Sequence, residues 1–314
     1  MLKDLLRTAD LTPHDVYHVL DLAAHYKRHP HRQKTLLSGE TVVLYFNKPS
    51  TRTRISFETA VARLGAVPIG VGPNDLQLGR GETIEDTARV MSRYSKAFVI
   101  RTFKDEDVAR FAAAASIPVI NALTDGHHPC QSLADLLTLR EVFGHLEGVS
   151  LAYLGDGNNV THSLLEAGAL AGVNVRVATP KSYGCDPAVV ERARSIAQRT
   201  GSKILITEDP AEAVRGAHAL YTDVWLSMGH AESERATRIQ ALGPYQVNDA
   251  LMSKASPEAI FMHCLPAHRG EEVMAEVVDG ARSVVFDQAE NRLHTSTAIL
   301  EALIRRELQG SHEG

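Results

Sequence analysis

The stretch FNKPSTRTRISFE (residues 46–58) joins a β-strand pattern to a helix pattern. The preceding run Thr41–Phe46 is apolar and rich in β-branched and aromatic residues, which indicates a buried strand. Ser50–Arg54 then brings two guanidinium groups and three hydroxyl groups to the start of a helix, where free N–H groups and the helix dipole attract anions. A capped helix beside a surface arginine patch is the alternative. We expect a phosphate-like anion here, because arginine and hydroxyl donors suit tetrahedral oxygens.

The length of 314 residues fits two domains of about 150 residues each. A composition of 44% hydrophobic, 23% charged and 5% aromatic residues is typical of an α/β protein. A formal net charge of -5 provides no broad basic field, so we expect no nucleic-acid partner.

The cysteines and the N-terminus bear on the compartment. Cys130, Cys185 and Cys264 are an odd number at unrelated spacings, which favours a reducing compartment such as the cytoplasm. The N-terminus does not read as a signal peptide, and no apolar run approaches the roughly 20 residues that span a bilayer. We therefore expect no membrane association.

Strand patterns alternate with helix patterns along the whole chain. The predicted strands cover residues 41–46, 67–71, 97–102, 117–122, 149–155, 174–180, 203–208, 218–225, 259–266 and 283–291. This alternation predicts an α/β protein of two domains, each a mainly parallel sheet with helices on both faces. We place the domains at residues 1–147 and 148–294, with a last helix over about residues 295–314 as the candidate to pack back on the first domain.

Hydrogen-bond donors recur where the predicted strands of the first domain end. Arg101 ends the third strand, and His128 and Gln131 lie at the start of the helix after the fourth, where Pro129 suits the first turn. Taken singly, a solvated charge or a helix cap explains each of them. Ligands of open parallel sheets bind beyond the carboxyl ends of the strands, so together they favour a ligand site.

The segment GDGNN (residues 155–159) resembles part of a dinucleotide-binding fingerprint. The third glycine is missing, since Val160 stands there, and the next strand ends without an acidic residue for a ribose hydroxyl. We therefore expect no nicotinamide cofactor, although a dinucleotide oxidoreductase stays the rival from another class. Asn158 and Asn159 could offer amides to a small ligand or simply form a turn.

Two further strand ends of the second half carry reactive groups. Asp223, in DVWLSMG, is placed to bind an ammonium group or to cap the next helix. Cys264, in HCLPAHRG, is either an inert small hydrophobe or a catalytic thiol. The His and Cys spacings do not match common zinc sites, so we expect no metal. Arg292 ends the last predicted strand, where a solvated charge is the alternative.

Taken together, these motifs resemble the carbamoyltransferase family over nearly the whole chain. STRTR (residues 50–54) and HPxQ (128–131) resemble the family's carbamoyl phosphate site, while DVWxSMG (223–229) and HCLP (263–266) resemble its ornithine-using members. The resemblance implies transfer of the carbamoyl group to the δ-amine of L-ornithine, giving L-citrulline and phosphate without a cofactor. A related amine such as putrescine is the alternative acceptor.

The resemblance also implies residue roles and an assembly. The residues implied for carbamoyl phosphate are Ser50, Thr51, Arg52, Thr53, Gln77, Arg101, His128, Gln131, Cys264, Leu265 and Arg292. The residues implied for ornithine are Asn159, Asp223, Ser227 and Met228. Catalytic roles fall on Arg101, His128 and Cys264. Members of the family form trimers or assemblies of trimers, in which the Gln77 loop is lent to a neighbouring active site.

The implied chemistry is acyl transfer without a covalent enzyme intermediate. Arg101, His128 and the Thr53 hydroxyl would stabilise the tetrahedral oxyanion. The attacking amine has an ordinary pKa of about 10.4 and must lose a proton first. Either Cys264, polarised by Asp223, or water accepts that proton, and the sequence leaves both routes open.

Overall fold

A computed structural model describes residues 1–30, 35–226 and 232–311. The chain divides into two units: Met1–Leu137 with the stretch that begins at Glu290, and Thr138–Ala289. It passes to the second unit within one helix, Pro129–Phe143, and returns within another, Val285–Ile304. We keep 147/148 as the proposed domain boundary, because Gly144 and Gly148, with φ of 77° and 80°, follow the first of these helices and precede the next strand.

The described part of the first unit contains a four-stranded sheet whose neighbouring strands are all parallel. Its strands are β1 (Thr41–Phe46), β2 (Val67–Val71), β3 (Ala97–Arg101) and β4 (Val119–Leu123), in the order β2-β1-β3-β4. The helices that begin in this unit are α1 (Pro13–Arg28), α2 (Arg52–Arg63), α3 (Ile84–Tyr94), α4 (Asp105–Ala114) and α5 (Pro129–Phe143). Helix α1 begins at Pro13, because Thr12 and Asp15 form a capping box before it.

The described part of the second unit contains a five-stranded parallel sheet. Its strands are β5 (Ser150–Leu154), β6 (Asn174–Ala178), β7 (Ile204–Thr207), β8 (Ala219–Thr222) and β9 (Ile260–His263), in the order β7-β6-β5-β8-β9. The helices are α6 (Asn159–Ala171), α7 (Pro187–Thr200), α8 (Pro210–Val214), α9 (Arg235–Leu242), α10 (Asp249–Met252), α11 (Ala275–Val278) and α12 (Val285–Ile304). The predicted fold class, two mainly parallel sheets with helices on both faces, is confirmed.

Nine of the ten predicted strands are present in the described residues, and the prediction for residues 283–291 is wrong. Helix α12 covers most of that stretch, so Arg292 lies within a helix rather than at a strand end. The side chains of Gln288, Asn291, Arg292 and Thr295 are all buried, at the i, i+3, i+4, i+7 spacing of one helix face. That face is polar, and a search for apolar periodicity therefore misses it.

Both sheets reverse their strand order at an internal point, which determines where a ligand can bind. In the first sheet the reversal lies between β1 and β3, and in the second between β5 and β8. At such a switch point the loops that follow the two strands diverge and leave a crevice. The loops concerned carry STRTR, Arg101, GDGNN and Asp223. Among the described helices, none combines the length and apolar character needed to cross a membrane.

Asp4 precedes Leu5, which makes an isolated parallel bridge with Ile120 of β4, and the carboxyl of Asp4 has a raised pKa. Its Oδ1 accepts a hydrogen bond from the Val119 backbone N–H at 2.8 Å, and Lys3 Nζ lies 3.3 Å from its Oδ2. Burial raises the pKa of Asp4 from 3.8 to about 6, in spite of these interactions. The folded protein therefore holds the Asp4 proton more tightly than the unfolded chain does.

Replacing Asp4 by Asn should stabilise the protein at neutral pH. The stabilising contribution of the protonated carboxyl is complete below about pH 4 and is lost as the pH rises through about 6, at a cost of at most about 3 kcal/mol. Asparagine keeps the acceptor for Val119 without this cost. Denaturant unfolding at pH 5 and pH 8 should show that the Asp4→Asn advantage grows with pH. An equal effect at both pH values would contradict it, and the exposed-site change Glu191→Gln is the control.

Candidate active site

The STRTR segment occupies the loop after β1 and the first turn of α2. Helix α2 begins at Arg52, and Thr51 makes no side-chain capping hydrogen bond. Thr53 is buried, Ser50 and Arg52 are half-buried and Thr51 is exposed. The simple helix-cap interpretation is thus not supported, and the first-turn N–H groups remain suited to an anion.

Arg292 joins the first turns of two helices. Its Nη2 donates to Thr53 Oγ1 of α2 at 2.8 Å, and its Nη1 donates to Gln131 Oε1 of α5. Gln131 in turn donates from Nε2 to Asp135 Oδ1 at 2.8 Å. All four side chains are buried. The structure therefore brings together three of the residues predicted to bind carbamoyl phosphate, even though the sequence analysis put Arg292 on the wrong type of element.

The positive charges of two buried arginines act on His128. Arg101 is the last residue of β3 and His128 directly precedes α5, and each is only 4% exposed. Burial, and then the positive charges of Arg292 and Arg101, hold the pKa of His128 well below its ordinary value of 6.5. The imidazole is therefore neutral at physiological pH. Two guanidinium groups beside a neutral ring form a cationic cluster that favours an anionic or strongly polarised ligand.

Gln77 is exposed, on the loop after β2. Among the hydrogen bonds of the described residues, none joins its side chain to the cationic cluster. Its predicted role in carbamoyl phosphate binding stays a prediction.

In the second unit, the carboxylate of Asp223, just after β8, accepts hydrogen bonds from three donors. Its Oδ2 accepts from Asn158 Nδ2 at 2.7 Å, and its Oδ1 accepts from the Val224 N–H at 2.8 Å and from the Cys264 thiol at 2.9 Å. Asn158 also caps α6, where its Oδ1 accepts from Val160 N. The carboxylate is thus held in place at the switch point of the second sheet.

Asn159 is the first residue of α6 and is half-buried, next to the asparagine that contacts Asp223. The sequence analysis noted both asparagines but assigned the ligand role to Asn159, which stays a prediction. Ser227 and Met228 lie outside the described residues.

The loop that presents Cys264 and Leu265 is held by His263. The Nδ1 of His263 accepts from the Leu265 N–H at 2.8 Å, so its Nε2 carries the hydrogen and donates to Glu272 Oε1 at 3.2 Å. Leu265 has a φ of 58°, in the left-handed region that a leucine seldom adopts. The His263 bond helps to hold this strained residue, and with it the orientation of the neighbouring thiol.

Arg238 of α9 is a buried residue that the sequence analysis missed. Its Nε donates to the Trp225 carbonyl, its Nη2 donates to Asp156, and its guanidinium lies 4.5 Å from the centre of the Tyr183 ring. Burial raises the pKa of Asp156 to about 6 in spite of Arg238. Arg238 thereby fixes the backbone just after Asp223. A lone arginine in a helical pattern resembles a solvated charge, so the sequence contains no signal for it.

The glycine-rich GDGNN loop packs against the protein itself. A Cβ on Gly157 would lie 2.4 Å from the Cys185 backbone nitrogen, and the Gly157 N–H donates to the Tyr183 carbonyl at 2.8 Å. The close approach for which this glycine is needed is therefore to residues 183–185 rather than to a pyrophosphate. This contact disfavours the dinucleotide rival.

Within the described residues, two groups of side chains have atoms that could hold a metal ion. They are Asp223 with His263 and Cys264, and His268 with Glu271 and Glu272. In the first group the thiol donates to Asp223, and both nitrogens of His263 make hydrogen bonds. This arrangement suits proton exchange and positioning, and metal binding would have to displace these hydrogen bonds.

Family models match both halves of the chain. Residues 3–141 match the carbamoyl-P binding domain of aspartate/ornithine carbamoyltransferase, and residues 147–303 match its Asp/Orn binding domain. The chain belongs to the aspartate/ornithine carbamoyltransferase family. The predicted resemblance is confirmed.

Individual carbamoyltransferases are similar to this chain over nearly their whole length. The chain is 55% identical to an ornithine carbamoyltransferase of Parafrankia sp. over 96% of both chains, and 52% identical to that of Acidothermus cellulolyticus over 97% of both. The solved structure of the Pyrococcus furiosus ornithine carbamoyltransferase matches with a TM-score of 0.92 and 48% identity over 96% of both chains. That of Gloeobacter violaceus matches with a TM-score of 0.87 and 48% identity, over 97% of this chain and 99% of the other.

Replacing Arg292 by Gln should raise the pKa of His128 and weaken carbamoyl phosphate binding. The change removes a nearby positive charge and the bond to Thr53, while burial still keeps the pKa below 6.5. Titration of ¹³C-labelled histidines by NMR measures the shift, with His128→Gln used to assign the signal. We expect the KM for carbamoyl phosphate to rise by about 10-fold or more. An unchanged His128 titration would contradict the charge coupling, and Arg269→Gln, at an exposed ion pair with Asp279, is the control.

Proposed function

We propose that this protein transfers the carbamoyl group of carbamoyl phosphate to the δ-amine of L-ornithine and releases L-citrulline and phosphate. The observation that carries this proposal is the pair of built clusters, one cationic around His128 and one of thiol and carboxylate around Asp223. They occur in a chain 52–55% identical, over 96–97% of its length, to proteins named ornithine carbamoyltransferase.

The cationic cluster suits the dianionic substrate. We assign the phosphate to Ser50, Thr51, Arg52 and Thr53 at the start of α2, and the carbamoyl oxygen to Arg101 and His128. A neutral imidazole can donate one N–H to that oxygen as negative charge develops in the tetrahedral intermediate. Loss of one such donor commonly costs about 10²- to 10³-fold in rate. Gln131 and Arg292, joined by a hydrogen bond, would complete the part of the carbamoyl site that the first unit contributes. Cys264 and Leu265 stay candidates for the same ligand on the strength of the family resemblance.

The carboxylate of Asp223 suits the amino acid substrate. We assign Asp223, with Asn159, Ser227 and Met228, to the amino acid end of ornithine. The Asp223 carboxylate would pair there with the α-ammonium group of the substrate. Asn158 and the Val224 N–H support this carboxylate by donating to it, so that it is held in one orientation. Such a preorganised anion favours an acceptor that carries a second ammonium group over an acceptor that lacks one.

Cys264 is our candidate to accept the proton of the δ-amine. In the attack, the amine nitrogen forms a bond to the carbonyl carbon, the C–O bond to phosphate breaks, and one N–H proton must leave. The thiol hydrogen of Cys264 is directed to Asp223, so the Asp223 carboxylate can take that hydrogen as a proton while the sulfur takes the proton that leaves the amine. Loss of the proton directly to water is the competing route.

We also propose a trimer that works in the cytoplasm. The support is the exposed Gln77, together with apolar side chains on β2, an edge strand of its sheet, where Val67 is 59% exposed and Ile69 is 41% exposed. An exposed edge strand with apolar side chains favours contact with another chain. The formal net charge of -5 argues against a nucleic-acid partner.

The test of the function is citrulline formation with competing acceptors. The enzyme should form a ureido product from carbamoyl phosphate and ornithine at least about 100-fold faster than from putrescine or aspartate. Asp223→Asn should raise the KM for ornithine at least about 10-fold and leave that for carbamoyl phosphate nearly unchanged. Preference for putrescine, or equal effects on both KM values, would overturn the acceptor assignment, and Asp279→Asn at an exposed ion pair is the matched control.

The turnover number should rise from pH 6 toward alkaline pH, because the δ-amine attacks only when it is deprotonated. A flat profile between about pH 6 and 10 would contradict a deprotonation step. Cys264→Ala distinguishes the two proton routes. If the thiol accepts the proton, the variant loses turnover by about 10²-fold or more, whereas transfer to water leaves turnover within a few-fold of the wild type.

A further inference from the structure

Lys48 is a buried lysine in the loop between β1 and α2, two residues before Ser50. Its side chain is 5% exposed. A lysine is almost never buried to this degree unless its charge is compensated, because an ammonium group loses its hydration. Neither the sequence motifs nor the assigned chemistry give Lys48 a role.

The ammonium group of Lys48 contacts two other loops. Its Nζ donates to Asp125 Oδ1, in the loop after β4. It also lies 4.3 Å from the centre of the Phe103 ring, in the loop after β3, which is a cation–π contact. One side chain thus links the loops that follow three neighbouring strands, β1, β3 and β4.

Backbone hydrogen bonds continue the pairing of these strands a short way past their ends. The Asn47 N–H donates to the Arg101 carbonyl at 2.8 Å, and the Asp125 N–H donates to the Phe103 carbonyl at 2.7 Å. Lys48 lies where this backbone pairing stops. Beyond that point, its side chain connects the three loops through its contacts with Asp125 and Phe103. Three residues of the proposed site lie within a few residues of these contacts. Ser50 is on the first loop, Arg101 is the last residue of β3 before the second loop, and His128 is on the third loop.

We propose that Lys48 is a positioning residue that fixes the phosphate-binding turn relative to Arg101 and His128, through its ion pair with Asp125 and its contact with Phe103. This proposal rests on the proposed function. A misplacement of about 1 Å at such a site can cost about 10²-fold in rate, so a fixed spacing between the three loops has a direct kinetic value.

The alternative is that Lys48 binds the anion directly, and Asp125 separates the two roles. Asp125 is 63% exposed, so it can be neutralised without opening a cavity. If Lys48 bound phosphate directly, Asp125→Asn would free the ammonium group and strengthen binding of carbamoyl phosphate. If Lys48 positions the loops, the same change breaks the link and weakens binding. The two roles therefore predict opposite signs.

The test compares Lys48→Met, Lys48→Arg, Asp125→Asn and the double variant Lys48→Met with Asp125→Asn. We expect Lys48→Met and Asp125→Asn each to raise the KM for carbamoyl phosphate by about 10-fold, with the KM for ornithine within about twofold of the wild type. The double variant should be no worse than Lys48→Met alone, because both changes break one link. Lys48→Arg should recover much of the loss, since a guanidinium group can pair with Asp125 and stack on Phe103.

A lower KM for carbamoyl phosphate in Asp125→Asn, or an additive double variant, would overturn the positioning role, and so would unchanged kinetics in both single variants. Lys96→Met, at an exposed ion pair with Glu40, is the matched control. Calorimetric titration with inorganic phosphate repeats the comparison without turnover. If the wild type forms no citrulline the proposed function fails, yet the same order of phosphate affinities would still support the positioning role.

Discussion

The first unit buries two guanidinium groups beside one imidazole, and burying this positive charge costs free energy. Arg101 and Arg292 are each less than 5% exposed, and burial together with their positive charges holds the pKa of His128 well below its ordinary value. A buried positive charge is costly unless an anion or a set of hydrogen bonds compensates it. Gln131 and Thr53 meet part of this demand through Arg292. Under the proposed function, a doubly negative ligand at this cluster would add to the compensation, and its binding would then stabilise this unit.

The strand orders explain why the reactive groups fall where they do. Each sheet reverses its order once, and the loops at that reversal carry the donors and the carboxylate. The two sites differ in sign, since the first gathers arginines and the second gathers a carboxylate and a thiol. That difference matches a dianionic donor substrate and a cationic acceptor amine. The same rule for ligand binding at a strand-order reversal, applied to two clusters of opposite charge, would supply the two substrate sites of the proposed reaction.

Much of this arrangement is predictable from local sequence, and the exceptions have physical causes. Short apolar runs identify nine strands, and the motifs at their ends contain most of the residues of the proposed site. The polar buried face of α12 defeats the same reasoning, because its hydrogen bonds to distant residues replace apolar packing. Lys48 and Arg238 are missed for a related reason. Their burial depends on Asp125 and Asp156, which are 77 and 82 positions away in the sequence. A local sequence pattern cannot predict pairs that are so far apart.

The first unit is built from both ends of the chain, and this has a consequence for biosynthesis. Arg292 lies in the stretch that begins at Glu290, yet its partners Thr53 and Gln131 leave the ribosome more than 150 residues earlier. The second unit is complete in one continuous segment and can fold while translation continues. The proposed anion site, in contrast, is incomplete until Arg292 has been synthesised. A nascent chain that stalls before this point would expose an unfinished core to the quality-control machinery, and it would be unable to hold its substrate.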